Sequence, residues 1–222
     1  MAESMKTLIF SDTHLTGRFN KKKSQFLEEI IRPADRVVMN GDFWDHGLCS
    51  FDRFVASQWR KKLFPLLKKR EAVYVFGNHD QEKWIDSRVE LFSDKAVSQY
   101  QFIEHGKKYL FEHGHREYPA QEFLSLILQD AGRYVGVPYL LKLREVLTWK
   151  VFGWGAHPKM IFNAVHKRLS KEGEFDTCFW GHTHSPEVDL ESKFVNSGCV
   201  EFGFGSYIMI EEGNIDLIKR RY

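Results

Sequence analysis

The sequence predicts an α/β fold in which helices cover layers of β-structure. Two observations lead to this prediction. In the first third of the chain, apolar strand-like runs alternate with segments of helical periodicity. From about residue 96, short strand-like runs are instead joined by tight turns such as Glu104–Lys107 and Glu212–Asn214. The chain is therefore expected to combine a helix-flanked sheet with hairpin-rich β-structure.

The first third of the chain alternates strand and helix. Apolar runs predict strands over Lys6–Phe10, Arg36–Asn40 and Val73–Phe76. Helical periodicity predicts a helix from Ser24 to Ile31, ended by Pro33. A second helix is predicted from Phe51 to Lys69, and Pro65 is expected to kink or split it, because proline lacks the amide hydrogen that a helix needs.

The later strands lie on both sides of a helical segment. Two strands are predicted between Ala96 and His113, and one over Thr177–Trp180. Near the end of the chain, further strands are predicted over Glu187–Val195, Gly198–Phe202, Tyr207–Ile210 and Ile215–Ile218.

Residues 117–172 are predicted to form a helical insertion, or cap, within a single domain of residues 1–222. Helical periodicity covers Gln121–Ala131, Pro138–Phe152 and Pro158–Lys171. The middle helix is markedly apolar for a peripheral element and also carries Lys142, Trp149 and Lys150. Three roles stay open for the insertion: covering a substrate, touching a membrane surface, or packing on the body.

Composition excludes several classes of protein. Lys and Arg number 32 against 30 Asp and Glu, so the net charge of +2 gives no clear nucleic-acid-binding surface. No apolar run approaches the ~20 residues that span a bilayer, and no signal peptide is evident. Cys49, Cys178 and Cys199 form no Cys-x-x-Cys pair. A reducing cytoplasm is the expected location.

Five polar motifs each directly follow a predicted strand. They are Phe10–His14, Gly41–Asp42, Gly77–Asp80, His113–His115 and Gly181–His184. Loops at the carboxyl ends of adjacent strands converge on one crevice. Because these loops carry Asp, Asn and His, which are ligands for divalent cations, the sequence predicts a metal site there.

The order and types of these residues resemble the calcineurin-like metallophosphoesterase superfamily. Its pattern is Asp-x-His, Gly-Asp-x-x-Asp, Gly-Asn-His-Asp/Glu, His and Gly-His-x-His. All five blocks occur in that order between Asp12 and His184, so the resemblance covers most of the chain. It implies a two-sheet β-sandwich flanked by helices, with the helical insertion added to it.

The resemblance also implies a pair of divalent cations. The first would be held by Asp12, His14, Asp42 and His184. The second would be held by Asp42, Asn78, His113 and His182, so that Asp42 bridges the two. A ligand set without thiolate suits Mn²⁺, with Fe²⁺ or Zn²⁺ as alternatives. A metal-bridging hydroxide would then attack the phosphorus of a phosphoester.

Two further residues match catalytic positions of the superfamily. His79 corresponds to the group that donates a proton to the leaving oxygen, and Asp45 to the carboxylate that orients it. Asp80 is expected to hold its loop rather than to touch substrate. His115 could face the substrate or support a ligand, and its role stays open.

Three functions are compatible with these motifs. Hydrolysis of a phosphomonoester or phosphodiester, possibly nucleotide-linked or lipid-linked, is ranked first. The position of the insertion resembles the bacterial UDP-diacylglucosamine pyrophosphate hydrolases of lipid A synthesis, but those enzymes commonly carry Arg where this chain has His79. The third alternative is a non-catalytic, metal-stabilised scaffold, as occurs among the superfamily's trafficking relatives.

Overall fold

The protein is described by a computed structural model that places residues 5–118, 136–153 and 161–222. The strands are β1 (Lys6–Phe10), β2 (Arg36–Asn40), β3 (Val73–Val75), β4 (Lys95–Val97), β5 (Tyr100–Glu104), β6 (Lys107–Phe111), β7 (Thr177–Trp180), β8 (Glu187–Asp189), β9 (Phe194–Asn196), β10 (Val200–Glu201), β11 (Phe204–Glu211) and β12 (Asn214–Arg221). The α-helices are α1 (Lys21–Ile31), α2 (Phe51–Val55), α3 (Trp59–Lys62), α4 (Phe64–Lys68), α5 (Val137–Phe152) and α6 (Asn163–Glu172).

The strands form two mixed sheets. The larger sheet has seven strands in the order β10-β11-β1-β2-β3-β4, with β12 paired to β11. Its members β1 to β4 run parallel to one another, as the strand–helix alternation predicts. The smaller sheet has five strands in the order β5-β6-β7-β9-β8, and β6, β7 and β9 are parallel. The predicted α/β fold with two sheets flanked by helices is confirmed.

The core is divided between the two faces of the larger sheet. On β1, Leu8 and Phe10 point towards the helices α1 to α4, whereas Ile9 points towards the smaller sheet. Phe111 and Phe179 of the smaller sheet stack at 4.6 Å between ring centroids and pack in the same layer as Ile9. This aromatic layer joins the sheets and fixes the ends of their strands relative to one another.

The predicted helix over Phe51–Lys69 is three short helices, α2, α3 and α4. Pro65 lies in the first turn of α4, where a missing amide hydrogen is tolerated, so this proline starts a helix. The other break follows Val55, where the Phe54 carbonyl accepts a hydrogen bond from the Ser57 hydroxyl at 2.6 Å. Such local side-chain bonds compete with helix continuation.

The predicted strand over Glu187–Val195 is wrong, because the segment forms the two antiparallel strands β8 and β9. The Asp189 carboxylate accepts hydrogen bonds from the backbone and the hydroxyl of Ser192, both at 3.1 Å. These bonds close a turn between the strands. The strand β4, which pairs with β3 in the larger sheet, is an addition to the two strands predicted between Ala96 and His113.

The described parts of the predicted insertion contain two helices. The predicted helix over Pro138–Phe152 is present as α5, and α6 begins at Asn163 rather than at Pro158. The predicted helix over Gln121–Ala131 lies outside the described residues. Within the described part of the chain, no helix is long and apolar enough to cross a bilayer.

Helix α5 turns two charged side chains towards the protein and several apolar side chains towards solvent. Trp149 is 1% exposed and packs on Phe204, with 5.2 Å between ring centroids. The side chains of Lys142 and Glu145 lie on this inward side and contact the body of the protein. The outward residues include four that are apolar, namely Leu140 (66% exposed), Leu143 (56%), Leu147 (54%) and Val151 (72%). Lys142 and Trp149, two of the residues singled out on this helix in the sequence, therefore face the protein.

Candidate metal centre

The five polar motifs come together at one edge of the two sheets. The first three follow β1, β2 and β3 of the larger sheet, and the last two follow β6 and β7 of the smaller sheet. The predicted ligands are buried, each at most 5% exposed: Asp12, His14, Asp42, Asn78, His113, His182 and His184. The structure therefore brings all seven predicted ligands into a single cluster.

The backbone is left-handed at most of these positions. Residues with positive φ include Asp12 (51°), His14 (44°), Asp42 (54°), His182 (64°) and His184 (57°). Residues other than glycine seldom adopt this conformation, and it persists where the surroundings enforce it, often at functional sites. Hydrogen bonds between the loops provide that enforcement, since His14 N donates to Asp42 O at 2.9 Å and His182 N donates to Asp12 Oδ2 at 3.0 Å.

Two glycines allow the loops to approach closely. A Cβ atom on Gly41 would lie 2.3 Å from the His113 ring, and Gly41 itself has a φ of +88°. A Cβ on Gly77 would lie 2.2 Å from Asp42 Oδ1. Neither position has room for a side chain, which explains why Gly precedes Asp42 and Asn78 in their motifs.

One group of ligand atoms comes from the first, second and last motifs. His184 Nε2 lies 3.0 Å from Asp12 Oδ1 and 3.4 Å from His14 Nε2. His14 Nε2 lies 3.7 Å from Asp42 Oδ2. One atom each of Asp12, His14 and His184 falls within 4.8 Å of the others, a spacing that allows a shared cation.

A second group centres on Asp42 and His113. His113 Nε2 lies 3.3 Å from Asp42 Oδ2 and 4.0 Å from Asp12 Oδ1, and these three residues also meet the spacing for a shared cation. Nearby, Nδ1 of His182, in the fifth motif, lies 3.0 Å from Oδ1 of Asn78, in the third motif. Asp12 and Asp42 therefore each lie next to both groups of ligand atoms.

The chemistry of these donors suits a cation. His113 Nδ1 donates to the Asn40 carbonyl at 2.9 Å, so neutral His113 presents the lone pair of Nε2 towards the Asp42 carboxylate. Burial disfavours a charged His113, but the carboxylates of Asp42 and Asp12 outweigh it and raise the pKa of His113 to about 10. Burial likewise opposes ionisation of Asp42, yet the positive charges of His113 and His79 hold the pKa of Asp42 well below its usual range. The cluster therefore favours positive charge between its carboxylates.

His79 and Asp45 lie beside the cluster and contact each other. His79 Nδ1 is 3.3 Å from Asp45 Oδ1, and His14 Nδ1 is 3.5 Å from Asp45 Oδ2, so this carboxylate touches both rings. Burial opposes ionisation of Asp45, but the charge of His79 and the close contact with His14 hold the pKa of Asp45 well below its usual range. The His79 side chain is 27% exposed, unlike the fully buried His113. It also meets the cation spacing with His14 and Asp42.

Asp80 ties two of the loops together. Its carboxylate accepts hydrogen bonds from the backbone amides of Gly77 (2.7 Å), Asp42 (3.0 Å) and Phe43 (2.6 Å). Burial and the nearby charge of Asp42 raise the pKa of Asp80 to about 7. With no exposed surface, Asp80 holds the loops as the sequence predicts and has no access to a substrate.

Other histidines lie near the site. His115 is buried, with its ring centroid 5.5 Å from that of His113, and burial together with the charge of His113 lowers the pKa of His115 to about 3. His166 stacks on Trp180 at 4.3 Å, and its Nε2 donates to Gly114 O at 3.1 Å. These contacts place both histidines in the packing around the cluster.

Sequence reasoning missed one residue at the site. The carboxylate of Glu145, on α5, lies 2.9 Å from Nδ1 of His184. No motif points to it, because Glu145 lies in an apolar run far along the chain from the five loops. The one available signal is that Lys142 and Glu145, three residues apart, interrupt that apolar run on one side.

Comparison with known proteins identifies the family. A model of the calcineurin-like phosphoesterase family matches residues 5–186, so the chain belongs to this family. A search of proteins with curated functions finds no match.

Among solved structures, an archaeal phosphodiesterase superposes with a TM-score of 0.51 at 16% identity, over 97% of this chain and 99% of that one. The phosphoesterase Yfce of E. coli gives 0.51 at 16% identity, over 96% and 98%. Zinc-complexed wild-type Vps29 of Entamoeba histolytica gives 0.50 at 16% identity, over 98% and 99%. At such identities these similarities show the shared fold.

The role of Asp80 in holding the two loops can be tested by measuring the stability of a variant. Asp80→Ala leaves three buried amides without an acceptor, so we expect the free energy of unfolding of the metal-free protein to fall by about 3 kcal/mol. Urea denaturation measures this loss. Asp86→Ala is the matched control, because Asp86 pairs with Arg88 on the surface, and its loss should cost much less than the loss of Asp80. Equal stability of the two variants would show that Asp80 does not hold the loops.

Proposed function

We propose that this protein is a phosphoesterase that uses two divalent cations to hydrolyse a phosphomonoester or phosphodiester. The observation that carries the proposal is the convergence of seven buried ligand-type side chains with the His79–Asp45 pair beside them. Membership of the calcineurin-like phosphoesterase family supports a phosphoester as the substrate and divalent cations as the cofactor.

We assign the ligands to two sites that share Asp42. Asp12, His14, Asp42 and His184 would hold one cation, and Asp42, Asn78, His113 and His182 the other. When bound, such a pair supplies an activated water nucleophile and neutralises charge on the phosphate oxygens. The donor set contains imidazole, carboxylate and amide oxygen, which suits Mn²⁺, with Fe²⁺ or Zn²⁺ as alternatives. No thiolate lies among the assigned ligands.

His79 is assigned as the acid for the leaving group. Its partial exposure leaves the ring accessible to a substrate above the buried ligands. The Asp45 carboxylate lies 3.3 Å from His79 Nδ1, which favours a proton on that nitrogen and leaves Nε2 on the side away from the carboxylate. In the protonated ring, Nε2 can then donate a proton to the departing oxygen.

A non-catalytic scaffold is the alternative from another class. The fold is shared about equally with a phosphodiesterase and with zinc-complexed Vps29, so fold similarity does not separate the two functions. The presence of His79 and Asp45 favours catalysis, because metal binding for stability does not require a proton donor.

The location proposed is a reducing compartment such as the cytoplasm. Its support is that Cys49, Cys178 and Cys199 are all free thiols and buried.

The proposed acid can be tested by comparing leaving groups. The Mn²⁺-loaded protein is assayed on a p-nitrophenyl monoester, a bis-p-nitrophenyl diester, a cyclic nucleotide and an alkyl phosphoester. We expect turnover of at least one ester, and His79→Ala should lower kcat on an alkyl leaving group by about 10²–10⁴-fold. On p-nitrophenyl esters the loss should be much smaller, because p-nitrophenolate departs without a proton.

Two controls accompany this assay. His105→Ala changes a histidine at the β5–β6 turn and should leave kcat unchanged. Metal content, measured on each variant, should be the same in His79→Ala as in the natural protein. Equal losses on both leaving groups would remove His79 as the acid, and a metal-loaded protein inactive on every ester would favour the scaffold.

A lipid-linked pyrophosphate is the second candidate substrate. The observation that favours it is the outward row of Leu140, Leu143, Leu147 and Val151 on α5, the helix that also contacts the site through Glu145. Exposed apolar surface of this kind is typical of contact with an apolar ligand or a membrane surface. The same row would allow peripheral contact with a membrane, with Arg144 and Lys150 exposed on the same helix.

A lipid-linked substrate predicts that a double variant of the outward apolar row on α5 has a higher KM for that substrate alone. Leu143→Ser combined with Leu147→Ser should raise KM for a UDP-linked acylated sugar by at least ~10-fold while leaving the p-nitrophenyl diester unaffected, because each lost apolar contact costs ~1–2 kcal/mol. Ile103→Ser, on the exposed face of β5, is the control. A lipid-linked substrate on this face would be excluded if the acylated sugar is not turned over. Equal KM values for this sugar in the natural protein and the double variant would exclude it as well.

A further inference from the structure

Helix α5 reaches the metal cluster through one carboxylate. Glu145 Oε1 lies 2.9 Å from Nδ1 of His184, and the opposite ring nitrogen, Nε2, lies 3.0 Å from Asp12 Oδ1. The side chains of His184 and Glu145 are 2% and 19% exposed. The ring of His184 is therefore held between a carboxylate of the inserted segment and a carboxylate of the cluster.

Glu145 is itself held in place by a row of alternating charges. Lys142 Nζ lies 3.6 Å from Glu145 Oε2 and also pairs with Glu201. Glu201 in turn accepts a hydrogen bond from Lys23 Nζ at 2.7 Å, and Lys23 donates to Thr13 O at 2.6 Å, next to the ligand His14. The row thus starts and ends at the loops that carry the candidate ligands.

The charges of this row support one another. Burial opposes the charged form of Lys142, but the carboxylates of Glu201 and Glu145 raise the pKa of Lys142 above its usual value. Burial also opposes ionisation of Glu201, whereas the ammonium groups of Lys142 and Lys23 lower the pKa of Glu201. Trp149, one turn beyond Glu145, fixes the helix on the body by packing against Phe204.

We propose that Glu145 is a positioning residue of the metal centre, which holds His184 with Nδ1 protonated and Nε2 directed at the cation. The inference rests on the metal binding in the proposed function. The carboxylate oxygen lies 2.9 Å from Nδ1, and an ionised carboxylate has only lone pairs to present, so this close approach favours a proton on Nδ1. Nε2 is then the nitrogen with a lone pair, on the side of Asp12 and His14.

The proposal makes the inserted helix part of the metal site. Carboxylates that accept from a metal-bound histidine fix its orientation and raise its basicity, and their loss commonly weakens metal affinity by about 10–100-fold. Displacement of α5 would therefore change the affinity for the cation held by His184.

The test is Mn²⁺ affinity of the metal-free protein, measured by calorimetric titration. Glu145→Ala should raise the Kd of one of the two Mn²⁺ sites by about 10–100-fold. Glu145→Gln should stay within about threefold of the natural protein, because its amide oxygen can face a protonated Nδ1 as the carboxylate does. Glu145→Asp keeps the charge but shortens the side chain, and should bind as weakly as Glu145→Ala.

The variants separate positioning from structural support. If Glu145 only supports the structure through its ion pair with Lys142, that support would be lost in Glu145→Gln and kept in Glu145→Asp. Glu145→Gln would then bind Mn²⁺ more weakly than Glu145→Asp, which is the reverse of the order expected for positioning. If Glu145→Ala does not fold, the Gln and Asp variants decide the question between them. Glu172→Ala, which removes the exposed partner of Arg168 on α6, is the matched control. Absorption spectra of Co²⁺-saturated samples provide a second readout of the ligand geometry.

Three results would contradict the proposals, and they are distinguishable. Unchanged Mn²⁺ affinity in Glu145→Ala, or weak binding in Glu145→Gln, would overturn the role of Glu145. A natural protein that binds no divalent cation would instead contradict the proposed function.

Discussion

The structure depends on the burial of two carboxylates, Asp12 and Asp42, beside the imidazoles of His14, His113 and His184. Buried charges are costly unless opposite charge compensates them. Burial acts to raise the pKa of Asp12, as does the charge of Asp42 to a smaller extent, but His184 and His113 outweigh both and lower this pKa below its usual value. Protonated histidines offer partial compensation, whereas divalent cations can be shared by several ligands at once.

Much of the surrounding structure serves to hold these groups together. Left-handed backbone at five of the ligand positions turns each loop sharply at the end of its strand. Gly41 and Gly77 allow the loops to approach, and Asp80 binds the amides of two of them. The aromatic layer between the sheets keeps the strand ends aligned, so the core and the site depend on the same packing. Glu145 extends this arrangement to the helix α5.

The site motifs could be predicted from sequence because each is local and follows a strand. The strand β7 has the predicted bounds, and β1 and β2 do as well, since short apolar runs bounded by polar residues leave few alternatives. The break between α2 and α3, within the predicted helix over Phe51–Lys69, depends on Ser57 bonding back to Phe54, which competes with helix formation. The turn between β8 and β9 depends on Asp189 capping Ser192. Neither is visible in hydrophobic periodicity.

Glu145 could not be predicted for a different reason. Its role arises from tertiary contact between α5 and the loop of His184, which lie 39 positions apart in sequence (184 − 145) with no motif connecting them. The apolar residues of α5 suggest burial by composition, yet the structure turns Leu143 and Leu147 outward and Lys142 and Glu145 inward. Ion pairs inside the molecule, together with the packing of Trp149 on Phe204, orient this helix.

The most direct test of a two-cation centre is the Mn²⁺ content of the protein and of Asp42→Asn after loading and dialysis. Asp42 is the residue assigned to both cations, and asparagine keeps its size while removing its charge. We expect two Mn²⁺ ions per chain in the natural protein and fewer than one in Asp42→Asn, with both proteins folded by circular dichroism. Full Mn²⁺ content in Asp42→Asn would remove Asp42 as the shared ligand. A natural protein without bound metal would contradict the two-cation centre itself.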